Sequence, residues 1–206
     1  QKNHIRIGIP PMIGVFLFPA LFNGFHGLYP KVKLEIQEYG SAHTWELVAN
    51  DELDFAIVIA DEQTSLRFHT LDVLRTSLVF CVARGHPLSE MASLDMSALK
   101  DQTIVLMRPD SYQHEKIFRR FQESNLTPQI LLHSNQLYTI KQLIQQSGAG
   151  AFLFDEIVRG DPELVGIPLN PPIPINISLI WKRGIQVYSD AALFIDFVRH
   201  TVGKNF

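Results

Sequence analysis

The chain has 206 residues, of which 46% are hydrophobic and 19% charged, so it can bury a sizeable core and is not a disordered chain. A formal net charge of −3 argues against a direct grip on nucleic acid, which rests on clustered Lys and Arg. The single cysteine, Cys81, permits no internal disulfide, and the apolar runs Met12–Phe18 and Leu78–Ala83 look too short to span a membrane.

No basic segment followed by an apolar one opens the chain, so no signal peptide is visible. Ile5–Ile9 alternates apolar and polar residues and runs into Pro10-Pro11, which predicts a short strand followed by a loop, Pro10–Ile13. Residues 14–28 carry Val15, Phe16, Leu17, Leu21, Phe22, Phe25 and Leu28 at helical spacing, and Tyr29-Pro30 stops that helix. Val32, Leu34 and Ile36 alternate with Lys33 and Glu35 in a second strand, which ends at Gly40-Ser41. A second helix follows through Trp45, Leu47 and Val48. Phe55–Ile59 is a continuous apolar run of the length of a central parallel strand.

Leu74–Ala83 predicts a longer strand, broken by Arg84-Gly85-His86-Pro87-Leu88. Cys81 lies within it and reads as a small core residue rather than a reactive thiol. A second series then begins: strand Thr103–Met107, helix Tyr112–Glu123, strand Gln129–Leu132, helix Gln136–Gln146 and strand Ala151–Phe154. Leu169–Pro174 reads as an irregular surface crossing. Strand Ile175–Lys182 and helix Asp190–Val202 close the chain. Strands alternating with helices predict parallel pairing and an α/β architecture, and two such series suggest two small lobes. Ligands of such sheets bind outside the carboxyl ends of the strands.

In this order, the helix ending Phe25-His26-Gly27-Leu28-Tyr29-Pro30, the Gly40-Ser41 loop, Leu53-Asp54-Phe55-Ala56-Ile57, Arg84–Leu88 and Ile144–Gly150 resemble the effector-binding domain of LysR-type transcriptional regulators. None of these pieces is specific alone; the ordered set is. The resemblance runs from about Ile5 to about Val202. It implies a type 2 periplasmic-binding-protein-like fold, with two α/β lobes joined by two crossover strands and a ligand cleft between them. The crossings are expected near Ala83–Gly85 and Trp181–Arg183, giving lobe I as 1–83 plus 184–206 and lobe II as 84–183. The family's winged helix-turn-helix has no counterpart before Ile5, so the resemblance implies the sensing part of a longer regulator. It further implies a small-molecule effector, commonly an organic acid, a homodimer or homotetramer, DNA contact only through the missing domain, no membrane, and a cytoplasmic location. The dimer contact is expected at Phe16–Leu28 and Val32–Ile36, which could equally be ordinary core.

Eight positions are candidates for ligand binding. Pro11 and Met12 occupy a loop where family members usually offer a hydroxyl; its absence suggests a more apolar wall, or a plain turn. Ser41 and His43 open the second helix, where backbone amides attract anions and Ser41 or Thr44 could cap instead. Arg108 could pair with a carboxylate, or with Asp110 at the surface. Ser111 shares its loop, and Asn135 is a helix cap or a ligand donor. Phe152 lies where the family lines its cleft, and could instead be core. Asp61 and Glu62 would disfavour anions if they pointed the same way.

No nucleophile elbow, phosphate loop, zinc-protease pair or spaced Cys/His set occurs, and the eight histidines are scattered singly. Neither catalysis nor a metal or other cofactor is expected. The rival classes are a transport solute-binding protein of the same fold and an enzyme on that fold.

Overall fold

The structure is a computed structural model and describes residues 3–201; Val202, the expected end of the last helix, lies outside them. In chain order the main elements are β1 (His4–Gly8), α1 (Pro11–Pro19), α2 (His26–Leu28), β2 (Lys33–Gln37), α3 (Ser41–Ala49), β3 (Phe55–Ala60), α4 (Glu62–Arg67) and β4 (Phe68–Ala83). They continue as β5 (Thr103–Leu106), α5 (Tyr112–Glu123), β6 (Gln129–His133), α6 (Leu137–Ser147), β7 (Gly150–Phe154), α7 (Asp155–Arg159), β8 (Leu164–Lys182) and α8 (Ser189–Thr201). The chain divides into unit 1, Gln1–Arg75 with Asn176–Phe206, and unit 2, Thr76–Ile175. The handovers therefore fall inside β4 and β8, earlier than the turn at Arg84–Leu88 suggests. That turn marks the end of a strand, and a strand carries no turn signal where it passes from one unit to the next.

Unit 1 orders its strands β2-β1-β3-β8. β1 is parallel to β2, with Ile5 opposite Leu34, and to β3, with Ile7 opposite Phe55. β8 runs antiparallel to β3, Ile57 facing Leu179. Universal parallel pairing, the expectation from strand–helix alternation, thus fails for the long strands, which are not reached through a βαβ crossover.

The first helix begins earlier than its apolar pattern predicts. Pro11 takes its first position, where a missing N–H costs nothing and the fixed φ suits the helix. Pro19 cannot bond back to the preceding turn, and Ala20–Phe25 winds as a π-helical turn before α2 resumes. Met12, Ile13, Leu17, Leu21 and Phe25 are buried along this run. Phe25 meets Phe194 and Phe197 of α8 edge-on at 5.2 and 5.4 Å. Gly24 lets the helix approach this ring closely: a Cβ would lie 2.7 Å from the tip of the Phe197 ring, which would have to shift. By length and composition alone the 18 residues Pro11–Leu28 could cross a membrane, which corrects the expectation of only shorter apolar runs. A core helix of a soluble domain passes the same test, and the buried side chains here pack within unit 1.

A core of Leu47, Val48, Leu53, Ala56, Val58, Phe68 and Ile180 closes α3 onto the sheet. At the opposite edge Asp54, just before β3, accepts from the Arg6 backbone N–H at 2.8 Å and from its guanidinium at 3.3 Å. Asp72 of β4 accepts from Asn176 and Ser178 of β8 at 3.1 and 3.2 Å. Those bonds explain why a polar stretch the sequence leaves unassigned, Phe68–Val73, is strand.

Unit 2 orders its strands β4-β7-β5-β6, with β5 parallel to β6 and β7, and β4 antiparallel to β7. Phe80 and Phe152 are paired across β4 and β7 with ring centroids 5.2 Å apart. Ile117 and Phe121 of α5 and Ile140 and Ile144 of α6 are buried over this sheet. The irregular crossing expected at Leu169–Pro174 is instead part of the 19-residue β8. Its prolines do no harm because Asn170 donates to the Leu94 carbonyl at 2.8 Å, while Pro168 only accepts, from the Leu94 N–H at 2.9 Å.

Burial opposes ionisation of Asp54, but the hydrogen bonds from Arg6 outweigh it and hold this carboxyl below its ordinary range. A depressed pKa contributes stability that is complete above the unfolded carboxylate value, about 3.9, and is lost as pH falls through the folded value. Urea melts should accordingly show Asp54→Asn less stable than the parent at neutral pH, with the gap closing below about pH 4. A gap that stays constant with pH would remove Asp54 as the linked group.

Candidate functional site

Because β1, β2 and β3 are parallel, their carboxyl ends share one edge of unit 1, and α1, α3 and α4 all start there. The helix starts differ in how their first amides are satisfied. α4 is closed: Asp61 accepts from the Thr64 N–H at 3.0 Å, and the Thr64 hydroxyl accepts from the Asp61 N–H at 3.1 Å. Asp61 is thus held in a capping box at the start of α4. In α1, Pro11 has no N–H, and Ile13 and Gly14 both donate to the Pro10 carbonyl at 3.1 Å.

α3 is open. Its N-cap is Gly40, extended at φ −60° and ψ 152°, and no side chain caps it. The first helical bond is made by Thr44, whose N–H reaches the Gly40 carbonyl at 3.0 Å. The amides of Ser41, Ala42 and His43 have no intrahelical partner. Ser41 is only 7% exposed, and its hydroxyl makes no hydrogen bond among the described residues. Neither Ser41 nor Thr44 caps the helix, contrary to one sequence reading. Thr44 turns its hydroxyl back to the Gly40 and Tyr39 carbonyls at 2.9 and 3.3 Å, fixing the loop. His43 is exposed, its ring set edge-on to Tyr39 at 4.9 Å.

Of the remaining unit 1 candidates, Pro11 is half-buried at the start of α1, and Met12 points into the core at 2% exposure. Met12 therefore does not present the open apolar wall its loop position suggests; the helix begins early enough to turn it inward. Pro11, Ser41 and His43 share the carboxyl edge.

In unit 2, Arg108 and Ser111 follow β5 and Asn135 follows β6. Asn135 accepts from the Arg108 backbone N–H at 2.8 Å, joining the two loops. Ser111 caps α5, accepting from the His114 N–H at 3.1 Å. Among the described residues Arg108 forms no ion pair with Asp110 or any other carboxylate, and it is exposed. Phe152 is 3% exposed against Phe80, so its packing role is the one on view.

The sequence reading does not single out His114 and His133, whose rings lie 5.5 Å apart, with His114 also stacked on Phe118. Burial, and then the neighbouring His133, lower the pKa of His114. No spacing rule could find this pair, because one residue lies on α5 and the other on β6. Among the described residues no group of three His, Cys, Asp or Glu side chains could hold a metal ion. Burial raises the Cys81 thiol to about 12, which fits the core assignment and leaves it unreactive.

Comparisons with known proteins agree on one family. The family model described as the LysR substrate binding domain matches residues 1–203. The uncharacterized HTH-type transcriptional regulator YwbI of Bacillus subtilis is 31% identical over 186 residues, covering 89% of this chain and 62% of that protein. The chain thus spans somewhat under two thirds of that relative. The Synechocystis CcmR regulatory domain, solved in complex with 2-PG, superposes with a TM-score of 0.87 at 18% identity, covering 98% of each chain. The effector binding domain of QuiR, solved with shikimate, superposes with a TM-score of 0.80 at 19% identity over the full length of both. At these identities the two structures establish the fold. The named relative is a transcriptional regulator, which decides against the transport alternative.

Capping and ligand roles separate by stability. Ser111→Ala should lower unfolding free energy by about 1 kcal/mol in urea melts, since it removes a cap. Ser41→Ala, with no bond to lose, should change stability by less than about 0.5 kcal/mol. A larger loss at Ser41 would mark it as structural.

Proposed function

This chain belongs to the LysR substrate binding domain family, and we propose that it is the effector-sensing part of a longer, cytoplasmic regulator of transcription that contacts DNA through a domain outside this chain. It senses and does not catalyse. The observation that carries the site is the start of α3: open amides at Ser41, Ala42 and His43, and a Ser41 hydroxyl that makes no hydrogen bond to described residues. Amides at a helix start favour negative charge, so the effector class this edge suits is a small organic anion. The complexes of CcmR with 2-PG and of QuiR with shikimate support a small-molecule effector on this fold. In unit 2, Arg108 and Asn135 are the proposed ligand contacts, Arg108 being exposed and free of any ion pair among the described residues. Ser111 and Phe152 serve as cap and packing partner, with ligand contact a secondary role. A bound effector can alter transcription only by favouring one conformation of the regulator over another.

Thermal melting of the domain against a metabolite panel tests this, since a ligand of the folded state raises the melting temperature. Small organic acids should stabilise it, and Ser41→Ala should weaken the best of them by roughly tenfold, the worth of one hydrogen bond to a charged group. Stabilisation by neutral or cationic compounds alone would overturn the anion assignment, and an unchanged affinity in Ser41→Ala would overturn the site.

A homodimer is proposed on a second observation. Val15, Phe22 and Leu28 stand 48%, 45% and 65% exposed along the first helical run. Several large apolar side chains exposed along one helical run are a candidate interface. Sedimentation of Phe22→Glu with Leu28→Glu should show monomers where the parent shows dimers or tetramers. A parent that is monomeric at high concentration, or a variant that still associates, would rule this face out.

A further inference from the structure

Unit 2 contains a cavity of about 410 Å³ away from the strand ends considered above. It lies between the end of α5, the 3₁₀ turn Met96–Leu99 and the start of β8. Its chemistry is mixed. Asp95 and Glu123 bring carboxylates, Arg120 a guanidinium, and Met96, Leu126 and Pro171 an apolar surface.

These charges do not cancel one another, for among the described residues no ion pair joins Arg120 to Asp95 or Glu123. Arg120 is held instead by neutral carbonyls: one terminal nitrogen donates to Pro171 at 2.6 Å and to Pro172 at 3.0 Å. Its other N–H groups make no hydrogen bond to described residues and remain open to a ligand. Among the described residues the Asp95 carboxylate accepts only the neutral Asn170 amide, at 2.8 Å. Arg119, one position earlier, pairs with Glu115 at 2.8 Å, so ion pairing on this helix is available and not used by Arg120. The end of α5 adds the partial negative charge of its last carbonyls next to Glu123.

A fixed, un-neutralised guanidinium and two carboxylates around one apolar-walled cavity complement a small molecule that carries both signs. We propose that this cavity is a second ligand site, for an amino-acid-like zwitterion. The ligand carboxylate meets Arg120 and its ammonium group meets Glu123 and Asp95, while a short side chain rests on Met96 and Leu126. The fork of Arg120 suits a carboxylate, and neither charge of the ligand is left alone. A purely anionic ligand would face two carboxylates, and a simple amine would leave Arg120 unanswered. The site is independent of the effector reading at α3.

Isothermal titration of the 206-residue chain with the twenty standard L-amino acids, one at a time, tests the proposal. At least one should bind, and its decarboxylated amine and its deaminated acid should each bind at least tenfold more weakly. Glu123→Gln removes a charge at an exposed position and should fold normally, yet weaken that amino acid by roughly tenfold. Ser124→Trp, which fills the cavity from its rim, should abolish binding. Ser41→Ala should leave it unchanged, so failure here and failure of the effector site are read separately. No binding by any amino acid, equal binding of the amine or the acid, or affinity untouched by Glu123→Gln and Ser124→Trp would each overturn the zwitterion site. Loss of binding in Ser41→Ala would assign the amino acid to the other edge and overturn it as well.

Discussion

A parallel strand delivers the chain to the same sheet edge as its neighbour, and the helix that follows starts there with amides that no helical bond can reach. Those amides must find a side chain, water or a ligand, and the helix starts of this protein differ in which one the fold supplies. α4 and α5 use side chains, Asp61 and Ser111. α1 dispenses with an amide by placing Pro11 first. α3 does none of these. Gly40 offers no cap, and Thr44 bonds backwards to the carbonyls of Tyr39 and Gly40. A helix start is left open where others on the same edge are sealed.

The sealing has an electrostatic side. Asp61 stands on the edge that α3 leaves open, and a free carboxylate there would repel an anion. The carboxylate keeps its charge, but the Thr64 N–H and hydroxyl hold it at the start of α4, where the helix amides favour it. The opposite edge is fixed by Arg6 and Asp54, whose contacts tie β1 to the entrance of β3 and hold the register on which the alignment of strand ends depends. The packing core and the carboxyl edge are therefore one construction: Leu47 and Val48 anchor the same α3 whose first turn stays open.

How far the site could be read in advance differs by residue. Ser41 was legible because a Gly-Ser pair after an alternating strand signals a helix start, and a helix start has spare donors. Ser111 was legible as a position but ambiguous in role, since a serine before a helix is as good a cap as a ligand. Met12 misled because Pro10-Pro11 reads as a turn, while the second proline instead starts the helix and rotates Met12 inward. The pairing of His114 with His133 and the charges around Arg120 were not legible at all. Each joins residues from separate elements, and only their packing brings them together.

The sequence by itself determined the α/β class, the order of strands and helices, and the family, because apolar periodicity and turn residues are local properties of the chain. α5 begins and ends where its pattern does, and β3 is the apolar run it looks to be. Tertiary structure decided what local pattern cannot hold: that β4 starts in a polar stretch secured by Asp72, that β8 runs through its prolines, and that both strands pass from one unit to the other. It also decided which helix starts are closed. A cap is a hydrogen bond made in one geometry, and identical serines become cap or open donor according to where the backbone places them. The carboxyl edge of the parallel strands was foreseeable as a place, and the open start of α3 on it was fixed only when the chain folded.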